Sequence, residues 1–560
     1  LDVRALAVFR VGLGIAMIVD SLQLVPWLYT LFGDDSIVPR WWAIGPHSSF
    51  TLLHAGGDTW FVTLFFALYY LTALAIIVGY RANLAMLLGC IMAASVQYGN
   101  TYIDSGASDL LKLYLLWGAF LPVGARWSLD AALRPTPPQS ESNVFSISSA
   151  VLIFQIMALY MCGAAMKTGA DWHDGSALEK VLRHAPTLTE PWTNSLLAYP
   201  GLLKFGTHAA LALEYVAPVL FLLGGWPRAI GMLALIGLHV GIESMLAIGA
   251  FPTIAIAGLL VLIPAQVWNL RKRRFAEGAT LFYDDASPYW GRVARLTRVF
   301  LCLDGLELRP AREDERAHTL QQQHASWVLQ LPGGPLLTGG DALIELMTRS
   351  PLRVLGRLLG LRPLRALVNW AFALSGRHPQ TADLLIPSYR ARRWRPRYVS
   401  ELIVLVLAAG SLGSAVLNAA GLKQYVPSYV SPLGLSQSWG MFAPVVIRDV
   451  GWAVAEARTQ SGRVIDPNQY LLHGRTEVSY ERPAALNGFI GSERWRKYWE
   501  SAGYDVNLAQ FFTGYLCHYW NTRHSSDTIV EIKLTFLEFK SGAGPMPRLL
   551  YTGACPQYNF

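Results

Sequence analysis

Long apolar runs alternate with short polar breaks through the first half of the chain. A bilayer-spanning helix needs about 20 mostly apolar residues. Nine runs approach that length, near residues 5–30, 59–79, 82–102, 108–123, 145–166, 207–225, 228–246, 249–268 and 400–420. The fourth is short and carries Asp109 and Lys112. The opening "LDVRALAVFRVGLG" lacks a charged leader and a small-residue cleavage site. It therefore reads as a spanning helix, not a signal peptide.

The pattern changes between the eighth and ninth runs, over 277–390. "ATLFYDD", "LELRPA" and "SWVLQL" read as strands, whereas "PYWGRVARLTRVFLCLD" and "GDALIELMTRSP" read as helices. Strand–helix alternation of this kind predicts a small α/β domain. Beyond the ninth run (400–421), residues 422–560 combine strand-like "GWAVAEARTQSGRVID" and "DTIVEIKLTFLEFK" with helix-like "SERWRKYWESAG". They predict an α+β domain with a hairpin turn at Gly462. The expected fold is an integral membrane α-helical bundle of about nine spans (1–270 and 400–421), an inserted α/β domain and a C-terminal α+β domain.

Composition agrees. The chain is 53% hydrophobic and 15% charged, with mean hydropathy +0.32, whereas soluble domains run nearer a quarter charged. The net charge of +8 would suggest nucleic acid in a soluble protein. Here the basic clusters "NLRKRRF" (269–275) and "YRARRWRPRY" (389–398) abut apolar runs, so they read as cytoplasmic topology signals. No nucleic-acid motif or tandem repeat is present. Alternation then places the N-terminus, Arg81, Arg126, Arg134, Arg228 and 277–390 in the cytoplasm. The loops with Asp34, Asp35, Asp171 and Asp174, and everything after 421, fall outside. None of the five cysteines forms C-x-x-C, so spacing suggests no metal or dithiol site. Cys517 and Cys555 could pair if their domain is external.

Ionisable groups inside spans are costly and mark candidate functional sites. They are Arg10 and Asp20, Asp109, Glu214, and His239 with Glu243. His239 and Glu243, at i and i+4, share a helix face. Such a face can orient a proton transfer or simply fix helix packing. Arg10 and Asp20 stand too far apart to pair and call for partners on other elements. Lys167 ends the fifth run in "YMCGAAMKTGADWHDG". A helix-end lysine ordinarily snorkels to water. Held in a dry site, it can lose its proton and act as a base. The residues alone leave both readings open.

Five stretches carry a resemblance: "FRVGLGIAMIVD" (9–20), "GDDSIVPR" (33–40), "WSLDAAL" (127–133), "YMCGAAMKTGADWHDGS" (160–176) and "LHVGIESMLAIGAF" (238–251). By their order and separations, residues 1–270 resemble the vitamin K-dependent γ-carboxylases and their bacterial relatives, the HTTM membrane domain. The resemblance implies a bacterial inner-membrane enzyme using reduced vitamin K or menaquinol, O2 and, if it carboxylates, CO2. In that family a lysine deprotonates the quinol. Oxygenation makes a strong base on the way to an epoxide, and that base removes a glutamate proton for carboxylation. Lys167 matches the lysine and His239 an assisting histidine. Asp171 and Trp172 match the residues after the lysine, and Glu243, Asp109, Glu214 and Arg10 are supporting candidates. The implied partners are an isoprenoid quinone, membrane lipid and an exported peptide or protein; no metal is implied. This chain departs from the family at Met166, where a second lysine is expected, and at "SGASDLL" (105–111), where an Asn–His pair is expected.

The insert's "TLFYDDASPYWGRVARL" and "GGDALIELM" resemble the DCC thioredoxin-like domain, which begins D-G-x-C-P-x-C. Ser287 and Trp290 stand at the two cysteine positions, which excludes thiol–disulfide exchange there and implies a structural or docking role. "SQSWGMFAPVV" (436–446) resembles the tails of related bacterial membrane proteins and suggests no mechanism. Two other functions fit the same residues. One is a non-carboxylating relative that matures or handles an exported peptide. The other is a lipid- or protein-binding scaffold whose buried charges only hold helices together.

Overall fold

The computed structural model describes residues 1–44, 51–134, 143–185, 189–270, 275–377, 398–446, 450–483, 486–539 and 545–556. The basic cluster at 389–398 lies almost wholly outside the described residues, as do 271–274 of the other.

Among the described residues, seven helices are long and apolar enough to cross a membrane: Val3–Leu22, Thr59–Val78, Ala82–Gly99, Ile147–Met166, Pro200–Leu223, Gly225–Met245 and Tyr398–Ala419. Their ends follow local chemistry. Gly79 closes the Thr59–Val78 helix with a left-handed backbone (φ 69°), donating its N–H to Ala75 and Ile76. Ser146 and Ser149 form a reciprocal capping box at the start of Ile147–Met166.

The runs at 108–123 and 249–268 form shorter helices, Gly106–Ala119 and Phe251–Leu259, the second continued by a 3-10 turn at Leu260–Leu262. Both are enclosed by the bundle. Leu110, Leu113, Tyr114, Leu115 and Trp117 are fully buried on the first, and Ile254, Ala255 and Leu259 on the second. A helix wrapped by protein satisfies its backbone without matching the bilayer's thickness. The long helices at the rim instead expose leucine and aromatic side chains, such as Leu223, Trp226, Ile230 and Leu233.

The insert folds around a four-stranded sheet, β1 (Thr280–Tyr283), β2 (Glu307–Pro310), β3 (Val328–Gln330) and β4 (Leu336–Thr338), in the order β2-β1-β3-β4. β1 and β2 are parallel, and the other pairings are antiparallel. Alternate residues face opposite sides. Leu281 and Leu329 pack with Trp290 of the Pro288–Phe300 helix and Ala342 and Leu346 of the Gly339–Thr348 helix. Phe282 and Val328 pack with Ala317 of the Glu315–His324 helix on the other face. The insert meets the bundle where Arg295 Nε donates to the Ala132 carbonyl at 3.0 Å.

The C-terminal part carries a second, fully antiparallel sheet: β5 (Val450–Thr459), β6 (Val464–Ile465), β7 (Ile529–Phe539) and β8 (Pro545–Gly553), in the order β6-β5-β7-β8. Gly462 turns the β5–β6 hairpin at φ 83°. The Glu493–Ala502 and Val506–Arg523 helices pack beside it, and Cys517 is disulfide-bonded to Cys555. Its core is continuous with that of the bundle. Charge fixes the junction. Arg494 donates to Asp20 at 2.6 Å and to the Ile103 carbonyl at 3.0 Å, all buried. Asp20 thus finds its partner on the C-terminal domain, 474 positions away.

Candidate active site

The Ile147–Met166 helix stops at Lys167, whose backbone leaves the helical region (ψ 61°). The side chain does not snorkel. It is 8% exposed, and Nζ is ion-paired with Glu214 Oε2 of the Pro200–Leu223 helix. The ammonium lies 4.9 Å from the centre of the Trp172 ring, a cation–π distance. About two turns back, Tyr160 shares a 2.8 Å hydrogen bond with His239 Nε2 of the Gly225–Met245 helix. His239 is buried, and its Nδ1 has no protein partner.

All five side chains line one cavity of about 350 Å³, otherwise apolar apart from Thr207. Such a lining, with a few converging polar groups, is the usual make-up of a small-molecule site. Its wall between the two rim helices is built of small residues, Gly206 and Ala210 on one and Gly237 and Gly241 on the other. A Cβ added at Gly237 or Gly241 would meet no atom within 4 Å, so these two glycines face open space.

The segment 436–446 closes the cavity. Trp439, Met441, Phe442 and Val446 line it. Trp172 Nε1 donates to the Phe442 carbonyl at 2.9 Å, and the Gly169 N–H to the Pro444 carbonyl at 2.9 Å. A Cβ at Gly169 would fall 2.5 Å from the Pro444 oxygen, so a larger residue would push the closing segment away. Gln437 anchors the segment. Its Nε2 donates to Gln155 Oε1 at 3.1 Å and to the Ser411 carbonyl at 2.9 Å, all buried.

Residues 1–268 match the HTTM domain. No curated protein and no solved structure matches the chain. The HTTM domain therefore supplies Tyr160, Lys167, Trp172, Glu214 and His239, while residues beyond it supply the cover.

The remaining candidates lie elsewhere. Glu243 does not support His239: it is exposed and off the cavity, whereas His239 is buried. Glu243 stands two residues from the helix end at Met245, where its side chain is exposed. Asp171 is buried against Lys180, its ion-pair partner, while the adjacent Trp172 turns toward the cavity. Asp109 Oδ1 accepts from Gln97 Nε2 at 2.9 Å and Lys112 Nζ at 3.1 Å. It stitches two HTTM helices together, because a lysine one turn away already balances its charge. Arg10 is fully buried and donates to the Trp127 carbonyl at 2.6 Å, with its guanidinium against Gly79. It joins the first helix to two turns.

Sequence reasoning flagged Glu214 as an intramembrane charge without pairing it to Lys167. It missed Tyr160 and gave 436–446 no task. A phenol in an apolar run carries no periodic signal. The closing segment lies 270 positions from Trp172, whose indole it accepts. Among the described residues, no three His, Cys, Asp or Glu side chains converge as a metal would need.

Proposed function

We propose that this protein is a quinol-oxidising membrane enzyme of the vitamin K-dependent γ-carboxylase type. The carrying observation is that Lys167, Glu214, Tyr160 and His239 face one apolar cavity within the HTTM domain, a domain associated with carboxylase-type enzymes. Lys167 takes the quinol's hydroxyl proton. Glu214, in contact with the ammonium, gives the lysine's own proton an acceptor, so the free amine can form without water. The quinol and O2 yield the epoxide and water, one oxygen atom going to each. His239, oriented by Tyr160, hydrogen-bonds the oxygenated ring. The wall of small residues admits an isoprenoid tail from the lipid. A glutamate of an exported peptide is the acceptor of the base, with CO2 adding to the carbanion if the chain carboxylates.

The same reading assigns the N-terminus and 277–390 to the cytoplasm of a bacterial inner membrane and the C-terminal domain to the exterior. The Cys517–Cys555 bond supports that side, since disulfides persist in oxidising compartments. The insert reads as a DCC-type thioredoxin-like domain. Its order β2-β1-β3-β4, with β1 parallel to β2, supports this. At the second cysteine position, Trp290 is buried and packs on Trp327 and Phe372, which suits a structural role.

The Lys167–Glu214 pair also favours a second reading, a scaffold in which it only ties two helices. Oxygen uptake separates the two. Purified protein in lipid is given reduced vitamin K or menaquinol, and the extract is examined for epoxide by mass spectrometry. Uptake that disappears in Lys167→Ala supports the enzyme. Uptake unchanged by that substitution refutes the lysine's role, and none with any quinol leaves the scaffold.

A further inference from the structure

The insert carries an apolar surface that no described element covers. Two consecutive helices, Arg353–Leu359 and Arg362–Arg377, follow its sheet. The second packs inward through Phe372, against Trp290 and Trp327. Its other side shows Leu364, Leu367, Trp370 and Leu374 to solvent, Leu367 at 58% and Trp370 at 62% exposure. The first helix exposes Val354, Leu355 and Leu358. On the second helix these positions fall three or four residues apart and make a stripe, to which Val354 and Leu358, four apart, and Leu355 add on the first.

The stripe is bordered by positive charge. Residues 350–375 contain four arginines and no aspartate or glutamate. Arg365 is held by Asp341 at 2.7 and 2.8 Å. Arg353, Arg357 and Arg362 are exposed and form no ion pair among the described residues. Apolar stripe, tryptophan and flanking arginines are the make-up of a helix lying in a membrane interface. The placement agrees. The stripe helices pack on the same sheet face as Pro288–Phe300, whose Arg295 touches the HTTM domain. The chain after Arg377 leads to the Tyr398–Ala419 membrane helix.

We infer that these two helices rest on the bilayer beside the bundle, with the leucine and Trp370 stripe among the acyl carbonyls and Arg353, Arg357 and Arg362 on anionic lipid headgroups. The insert is then a lipid-sensing pad, whatever reaction the cavity performs. An arginine near an anionic surface is worth about fivefold in the bound population, so the contact depends on the lipid's charge.

The full-length protein is placed in nanodiscs with an environment-sensitive fluorophore on Leu367→Cys, and the chain without the added cysteine serves as blank. The expected emission is blue-shifted and quenched by spin-labelled lipids when phosphatidylglycerol is present, and several-fold less quenched in phosphatidylcholine alone. A label on Gln323→Cys, on the helix across the sheet, stays unquenched. Arg353→Gln, Arg357→Gln and Arg362→Gln together abolish the difference between the two lipids. Water-like emission at position 367 in both lipids overturns the proposal. So does a blue shift without lipid quenching, which would mean that protein covers the stripe. Equal quenching in both lipids overturns the headgroup contact.

Discussion

Lys167, just past the end of one helix, and Glu214, on another, meet inside an apolar cavity, with the ammonium over the face of Trp172. A buried ion pair is weak evidence for stability, because desolvation offsets the attraction. Placing one at the wall of a cavity, where a ligand can contact both charges, is easier to explain by chemistry than by packing.

Arginine at position 167 separates charge from basicity. Lys167→Arg keeps a cation for Glu214 but cannot deliver a free base. Under the proposed function, quinol-dependent oxygen uptake falls about 100-fold or more, while thermal unfolding in detergent changes little. Activity near wild type in that variant would contradict general-base chemistry at this residue.

Tyr160→Phe removes the partner of His239 Nε2 at a site where Nδ1 is already unpaired. Leaving a buried polar group unsatisfied costs about 1–3 kcal/mol. The variant should unfold at lower temperature and turn over more slowly, and Tyr160→Phe with His239→Leu should recover stability but not turnover. Calorimetry beside oxygen uptake reads both.

Arg494→Ala strands the Asp20 carboxylate in the core of the domain junction. Breaking a buried pair by removing one partner costs about 3–5 kcal/mol. Asp20→Asn combined with Arg494→Met should be markedly milder than Arg494→Ala alone. A double-mutant cycle on detergent-solubilised protein measures the coupling.

Burial pushes the Asp466 carboxyl up to about 7, although its Oδ1 caps the Pro467–His473 helix by accepting from the N–H groups of Asn468 and Gln469 at 2.9 and 3.0 Å. The folded state therefore binds this proton more tightly than the unfolded chain. Between the unfolded carboxyl's pKa, about 4, and about 7, the folded state holds more protons. Stability from this group therefore falls as pH rises through that window. Asp466→Asn keeps the capping oxygen and should flatten the dependence. An unaltered pH profile of unfolding in that variant would contradict the assignment.

The membrane helices were legible in the sequence because hydropathy reports directly on what faces lipid. It reported less well on Gly106–Ala119 and Phe251–Leu259, which face protein and need not reach bilayer length. β1, β2, β3, β5 and β7 were legible as apolar or alternating runs. The short β4 and the Glu315–His324 helix, rich in glutamine and charge, were not. At the site, Lys167 and His239 were marked by their rarity in or beside a span, and Trp172 by the family resemblance. The partners of Lys167 and His239 depend on which helices become neighbours. A four-residue spacing suggested Glu243 for His239, whereas the partner is Tyr160 of the Ile147–Met166 helix.

The cover over the cavity has a consequence for the order of synthesis. Trp172 and the residue that accepts its indole proton are 270 positions apart, so at 5–20 residues per second roughly 15 to 55 s pass between their emergence. For that interval the HTTM helices form a cup without a roof. A nascent chain stalled before residue 436 would expose its lysine and histidine to bulk water. The finished compartment thus arises only after residue 446 has been made, which couples any activity of the cavity to synthesis of a segment well beyond the HTTM domain.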